Sequence, residues 1–118
     1  MTKIAIIVLS DTNTIEGMGK VSNAFMLANE IIENGDELRI IFEGAGAKWI
    51  GELEKEDYKL HEMYKGIKSH ITGVCMFCAQ VFGVKNEINK AGLTLLDEYN
   101  SHPSLRKLFV EGFQVITF

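Results

Sequence analysis

The chain has 118 residues, of which 47% are apolar and 24% charged, enough for one domain with a real hydrophobic core. The net charge is -4 and the Lys and Arg residues are scattered, which leaves no basic face for nucleic acid. Mean hydropathy is +0.07 and the longest unbroken apolar run, Ile4 to Leu9, is far too short to span a bilayer, so a soluble globular protein is expected.

Met1-Thr2-Lys3 runs straight into that apolar stretch, with no room for a signal-peptide head and cleavage site; a cytoplasmic location is expected. The run itself, Ile4-Ala5-Ile6-Ile7-Val8-Leu9, is apolar on both faces and reads as a buried parallel strand. Ser10 to Gly19 is polar and reads as a loop. Val21, Ala24, Phe25, Ala28, Ile31 and Ile32 recur at helical spacing, and Asn34-Gly35 ends that helix. Leu38 to Phe42 is a second buried strand, followed by a tight turn at Gly44-Ala45-Gly46 and a short helix from Trp49 to Leu53. Leu60, Met63, Tyr64, Ile67 and Ile71 predict a helix over about Tyr58 to Ser69.

Thr72 to Met76 reads as a third strand. A helical stretch from Cys78 to Phe82 breaks at Gly83 and resumes over Asn86 to Ala91. Leu93 to Leu96 is a fourth strand. His102-Pro103-Ser104 opens a helix with Pro103 in its first turn, and Gly112 ends it. Val115 to Phe118 is a terminal fifth strand. Alternating strands and helices predict a single α/β domain, a three-layer sandwich around a mostly parallel five-stranded sheet of flavodoxin or Rossmann type. Active residues of such sheets gather at the carboxyl ends of the strands. Three loops qualify: Ser10 to Gly19, Gly44 to Lys48, and Cys75 to Cys78.

Cys75 closes the third strand just before a helix, where the dipole and free N–H groups favour a thiolate. Cys78 lies about one turn further on and could resolve a mixed disulfide or persulfide formed on Cys75. Spacing alone leaves a second reading open, in which both cysteines simply pack beside Met76, Phe77 and Val81. In the cytoplasm both should be reduced thiols rather than a structural disulfide. A zinc site is not expected, because no second Cys-x-x-Cys exists and His61, His70 and His102 have no recognisable ligand spacing.

The stretch Cys75-Met76-Phe77-Cys78-Ala79-Gln80-Val81-Phe82-Gly83-Val84 resembles the cysteine segment of the DsrE-like family. The closing Gly112-Phe113-Gln114-Val115-Ile116-Thr117-Phe118, the opening strand and Tyr99 to Ser104 are similar to it as well. Val81-Phe82 stands where the best-known carriers have an arginine-containing turn. The resemblance implies a sulfurtransferase-like persulfide carrier: sulfane sulfur would be held on Cys75, by its distance to Gly83, and passed to a partner, with Cys78 assisting. It also implies a homo-oligomer, trimer or hexamer, that meets sulfur-donor and sulfur-acceptor proteins and needs no cofactor. Partly exposed Phe77, Val81 and Phe82 would suit an interface around the cysteine.

Other signals are weaker. Gly17-Met18-Gly19-Lys20 fails as a phosphate loop, since Thr14 and Val21 stand where a Gly and a Ser or Thr are needed. Ser10, Asp11 and Thr12, with Gly44, Gly46 and Trp49, define an alternative function: a non-catalytic module holding a small anionic ligand or nucleotide at the strand ends. The plainer reading of Ser10 to Thr14 is an Asx or Ser turn feeding the helix, and it is preferred. For Trp49 a core or subunit-contact role is preferred. His61 is expected at the surface or an interface. His102 is expected to cap a helix or bond locally; either histidine could serve Cys75 as a base.

Overall fold

The computed structural model describes all 118 residues. Five strands form one parallel sheet in the order β4-β3-β2-β1-β5: β1 Lys3–Val8, β2 Glu37–Phe42, β3 Ile71–Cys75, β4 Leu95–Leu96 and β5 Gln114–Thr117. The helices are α1 Ile15–Glu33, α2 Trp49–Leu53, α3 His61–Ile67, α4 Met76–Val81, α5 Lys85–Lys90 and α6 Leu105–Val110, with 3-10 turns at Gly44–Lys48 and Lys68–His70.

The strand order decides where the helices go. From β1 to β4 the chain steps in one direction, so right-handed crossovers place α1 to α5 on one face. The last connection returns past β1 to β5 and places α6 on the other. Alternate residues of each strand serve the two faces. Ile6, Val8, Ile40, Phe42 and Val74 join Phe25, Trp49, Tyr64 and Ile88 in a core of 23 buried residues. Ala5, Ile7 and Ile41 meet Leu96, Leu108 and Phe113 in a second core of only six. The sandwich is therefore three-layered, with one thin layer.

Besides small shifts at several element ends, two helix starts and one histidine differ from the sequence expectation. The first loop is shorter, because α1 begins at Ile15. Thr14 caps it in an extended conformation, its Oγ1 accepting the Gly17 N–H at 2.9 Å. Gly17 lies within the first turn, where a Cβ would stand 2.2 Å from the Asp11 carbonyl oxygen. That glycine serves close packing of the loop on the helix. Pro103 precedes α6 and does not lie in its first turn; Ser104 is the cap, accepting from Lys107 N at 3.2 Å. His61, expected outside, is buried, with Nδ1 2.7 Å from the Leu53 carbonyl oxygen, which satisfies the ring and ties α3 to the end of α2.

Candidate functional site

Three adjacent strand ends build the site. The register pairs Phe42 with Val74, Val74 with Leu95 and Cys75 with Leu96. Glu43, Cys75 and the segment after Leu96 therefore leave the sheet side by side. Gly73 allows the short β4 to come this close: a Cβ there would meet the Thr94 carbonyl oxygen at 2.5 Å and Leu96 Cγ at 2.7 Å.

Beyond β4 the chain folds back as a tight turn, Tyr99-Asn100-Ser101-His102, closed by reciprocal Tyr99 and His102 backbone bonds of 2.8 Å each. Both central residues are left-handed, Asn100 at φ 48° and Ser101 at φ 65°. That is the twist of a type I′ turn, tolerated by Asn and strained for Ser. The turn docks on the cysteine loop. Phe77 N–H donates to the Ser101 carbonyl at 2.9 Å, and the His102 ring stacks on Phe77 with centroids 4.9 Å apart.

Cys75 is the cap of α4. Its Sγ accepts the Cys78 N–H at 3.3 Å and faces the Ser101 carbonyl oxygen at 4.0 Å. An acceptor role toward an amide and a donor role toward a carbonyl are what a neutral thiol satisfies. The residue has no exposed surface, and burial, reinforced by Cys78 and by the charge of Glu43, pushes its pKa from 9.0 up to about 12. The helix start was expected to favour a thiolate here, and burial acts in the opposite direction. A helix terminus contributes about 0.3–1 kcal/mol, less than the roughly 1.4 kcal/mol that one pK unit represents, and α4 has only six residues. Burial wins over the dipole.

Cys78 is buried too, though less completely, at 8% exposed. Its Sγ, the Cys75 Sγ and a ring nitrogen of His102 all lie within 4.8 Å of one another. The spacing argument against a metal-competent histidine fails here, because sheet topology and not sequence distance brings His102 to the pair. His102 Nδ1 is 2.6 Å from the Asn100 carbonyl oxygen, so that nitrogen carries a proton and Nε2 is the one the backbone leaves unengaged.

Sequence reasoning missed Glu43. Its Oε1 is buried without a partner, and burial raises its pKa against the opposing charge of His102. The available signal was an acidic residue directly after the apolar Ile40-Ile41-Phe42 that ends the second strand.

The other candidate residues are bound up among themselves. Asp11 Oδ1 pairs with Lys48 Nζ at 2.7 Å and accepts the Thr12 N–H at 2.6 Å; the Lys48 hydrogen bond, with help from the backbone, holds the Asp11 carboxyl below its usual value. Lys48 also lies 5.3 Å from the centre of the Phe82 ring, which links this loop to α4. Trp49 is fully buried and donates Nε1–H to the Ser10 carbonyl at 2.7 Å. Gly46 lies against the Val8 carbonyl, where a Cβ would be only 2.1 Å away, and Gly44 is left-handed at φ 56°. Trp49 and Gly46 thus support the strand ends from inside. None of the five main surface clefts is lined by Ser10, Asp11, Thr12, Gly44, Gly46 or Trp49.

No helix of the chain is long and apolar enough to cross a membrane. No family model matches the chain. A conserved protein of unknown function, BT1422 from Bacteroides thetaiotaomicron, has a similar structure: the TM-score is 0.67 at 22% identity, over 97% of this chain and 94% of that one. That likeness concerns the fold. In sequence, the chain is 35% identical over 99 residues to the uncharacterized protein MJ0733 of Methanocaldococcus jannaschii, covering 84% of this chain and 80% of that protein. By that similarity the chain belongs to the family of the Methanocaldococcus jannaschii protein MJ0733.

Proposed function

We propose that this protein is a sulfur-trafficking protein of DsrE type, in which the Cys75–Cys78 pair takes up sulfane sulfur as a persulfide and hands it to a partner protein. The observation that carries the reading is the convergence of two thiols and one imidazole at the strand ends, all within 4.8 Å. Sulfur exchange needs a nucleophilic thiolate, a nearby base and a second thiol.

A small difference in burial suggests an order within the pair. Cys78 meets the donor first, because that residue keeps 8% of its surface exposed while Cys75 keeps none. His102 Nε2 accepts the Cys78 proton. The resulting thiolate attacks the outer sulfur of the donor persulfide; the donor S–S bond breaks and the donor leaves as a thiolate. Cys78 then carries –S–SH, with no net oxidation. An acceptor thiolate attacks that outer sulfur in turn and releases Cys78. Without an acceptor, Cys75 can attack the inner sulfur of Cys78, its proton passing to the departing sulfur, which leaves as hydrogen sulfide, and a Cys75–Cys78 disulfide remains. Cys75, the position favoured by resemblance, is in this scheme the resolving thiol. Exposed Phe77, Val81 and Phe82 around the pair supply apolar surface for a second copy of the chain or for the sulfur partner.

The test is intact-mass spectrometry of the reduced protein after exposure to polysulfide. The Cys75→Ser variant, which has no resolving thiol, should gain about 32 Da per added sulfur; the wild type, with no acceptor present, should end about 2 Da lighter as the disulfide closes, and the Cys75→Ser/Cys78→Ser double variant should show neither change. A Cys75→Ser protein that gains no sulfur would refute the proposal.

A further inference from the structure

We propose that Cys75, Cys78 and His102 form a binding site for a thiophilic divalent metal ion of the zinc type. The site stands on its donor atoms and does not rest on the sulfur-transfer reading.

Two sulfurs and one imidazole nitrogen, mutually within 4.8 Å, are a soft donor set that suits zinc and other late first-row ions. Cys75 and Cys78 have the Cys-x-x-Cys spacing that grips zinc from the start of a helical turn. A tetrahedral zinc, with Zn–S near 2.3 Å, holds its sulfurs about 3.8 Å apart, so the three atoms need to close by no more than about 1 Å. His102, which is half-buried, can supply most of that movement, and Cys78 keeps a small exposed surface of 8%.

Two further observations point the same way. His102 Nδ1 is committed to the Asn100 carbonyl oxygen at 2.6 Å, the backbone contact that fixes the tautomer and orients a ligating ring. Stacking on Phe77 holds the ring plane. On the inner side, Glu43, which leaves the sheet beside Cys75, brings a buried carboxyl oxygen that has no partner. The protein offers three ligands, so the fourth position stays open, the pattern of sites that accept an exogenous ligand and not of closed structural ones. Binding releases the thiol protons to water as the thiolates ligate. Ligated thiolates are withdrawn from sulfur exchange, so metal and sulfane sulfur compete for one site.

The experiment is a titration of reduced, chelator-treated protein with Co²⁺, followed by absorption and then by displacement with Zn²⁺. One Co²⁺ per chain should bind, with thiolate-to-cobalt charge transfer that Zn²⁺ abolishes. Cys78→Ser should lose most of the charge-transfer absorption. His102→Gln should weaken binding by more than the roughly 10–100-fold that an outer-shell partner is worth. Emission from Trp49, the single buried tryptophan, checks that each variant is folded. Absence of charge transfer in the wild type, or its full retention in folded Cys78→Ser, would overturn the proposal. Sulfur loading measured on the chelator-treated protein reports separately on the transfer reading.

Discussion

Replacement of Gly73 by Ala strikes the contact on which the whole site depends. The added methyl would stand 2.5 Å from the Thr94 carbonyl oxygen and 2.7 Å from Leu96 Cγ. Carbon and oxygen do not approach so closely, so β4 has to retreat by roughly half an ångström or more. That retreat strains the Val74 N–H bond to the Thr94 carbonyl, now 2.9 Å, and the strand has only two paired residues to resist it. Overpacking of this kind costs about 1–3 kcal/mol. At about 4 °C per kcal/mol the melting temperature should fall by roughly 4–12 °C. Urea unfolding followed through Trp49 emission should show a lower midpoint with an unchanged slope. Because β4 carries the 99–102 turn that covers Cys75, the variant should also expose Cys75 to alkylation under native conditions. A Gly73→Ala protein with the wild-type midpoint and a still protected Cys75 would refute the claim that close β3–β4 contact holds the site together.

Trp49→Phe removes the donor that satisfies the Ser10 carbonyl and leaves space in the main core; a loss of about 2–3 kcal/mol is expected in urea unfolding, and a loss below 0.5 kcal/mol would contradict the bond's role. Ser101→Gly relieves a left-handed serine: a penalty of about 1–2 kcal/mol disappears against a glycine cost of about 0.5–1, so thermal melting should show a small gain, and a lower melting temperature would count against the strained turn. Glu54 carries a pH prediction. Burial alone would raise its carboxyl, but hydrogen bonds from Tyr64 and Lys68 outweigh that and hold it below 4.5. A depressed carboxylate stabilises above its unfolded value and loses that contribution as pH falls through the folded one. Glu54→Gln should therefore be less stable by about 0.5–1 kcal/mol at pH 7, with the gap closing below pH 4.5; a gap unchanged between pH 7 and pH 3 would show the cluster to be electrostatically inert.

The fold was legible because buried parallel strands announce themselves as short, doubly apolar runs. Ile4 to Leu9 and Leu38 to Phe42 locate β1 and β2 to within a residue. Glycines at Gly35, Gly83, Gly92 and Gly112 all mark left-handed chain reversals where the pattern placed helix ends. The start of α1 was obscured because Gly17 and Gly19 look like loop residues, whereas Gly17 is in the helix to let the Asp11 carbonyl approach. Cys75 and Cys78 were visible from local spacing. Their environment was not, because burial of Cys75 depends on the 99–102 turn arriving from the neighbouring strand. Proximity of His102 and Glu43 follows from the order β4-β3-β2, which a one-dimensional pattern does not contain. Buried His61 escaped for a similar reason: it lies beside the apolar stripe of α3, and only the Leu53 carbonyl reveals how its ring is satisfied.

The central claim is that Cys78 receives sulfur and Cys75 resolves it. Peptide-level mass spectrometry of the two single-serine variants, reduced, freed of metal and then treated with polysulfide, tests it most directly. Cys75→Ser should accumulate a stable persulfide on Cys78, because no thiol remains to resolve it. Cys78→Ser should take up almost none, because the remaining thiol is enclosed and its burial favours the neutral form. Ready sulfur loading of Cys75 in Cys78→Ser, or an unmodified Cys78 in Cys75→Ser, would contradict the account.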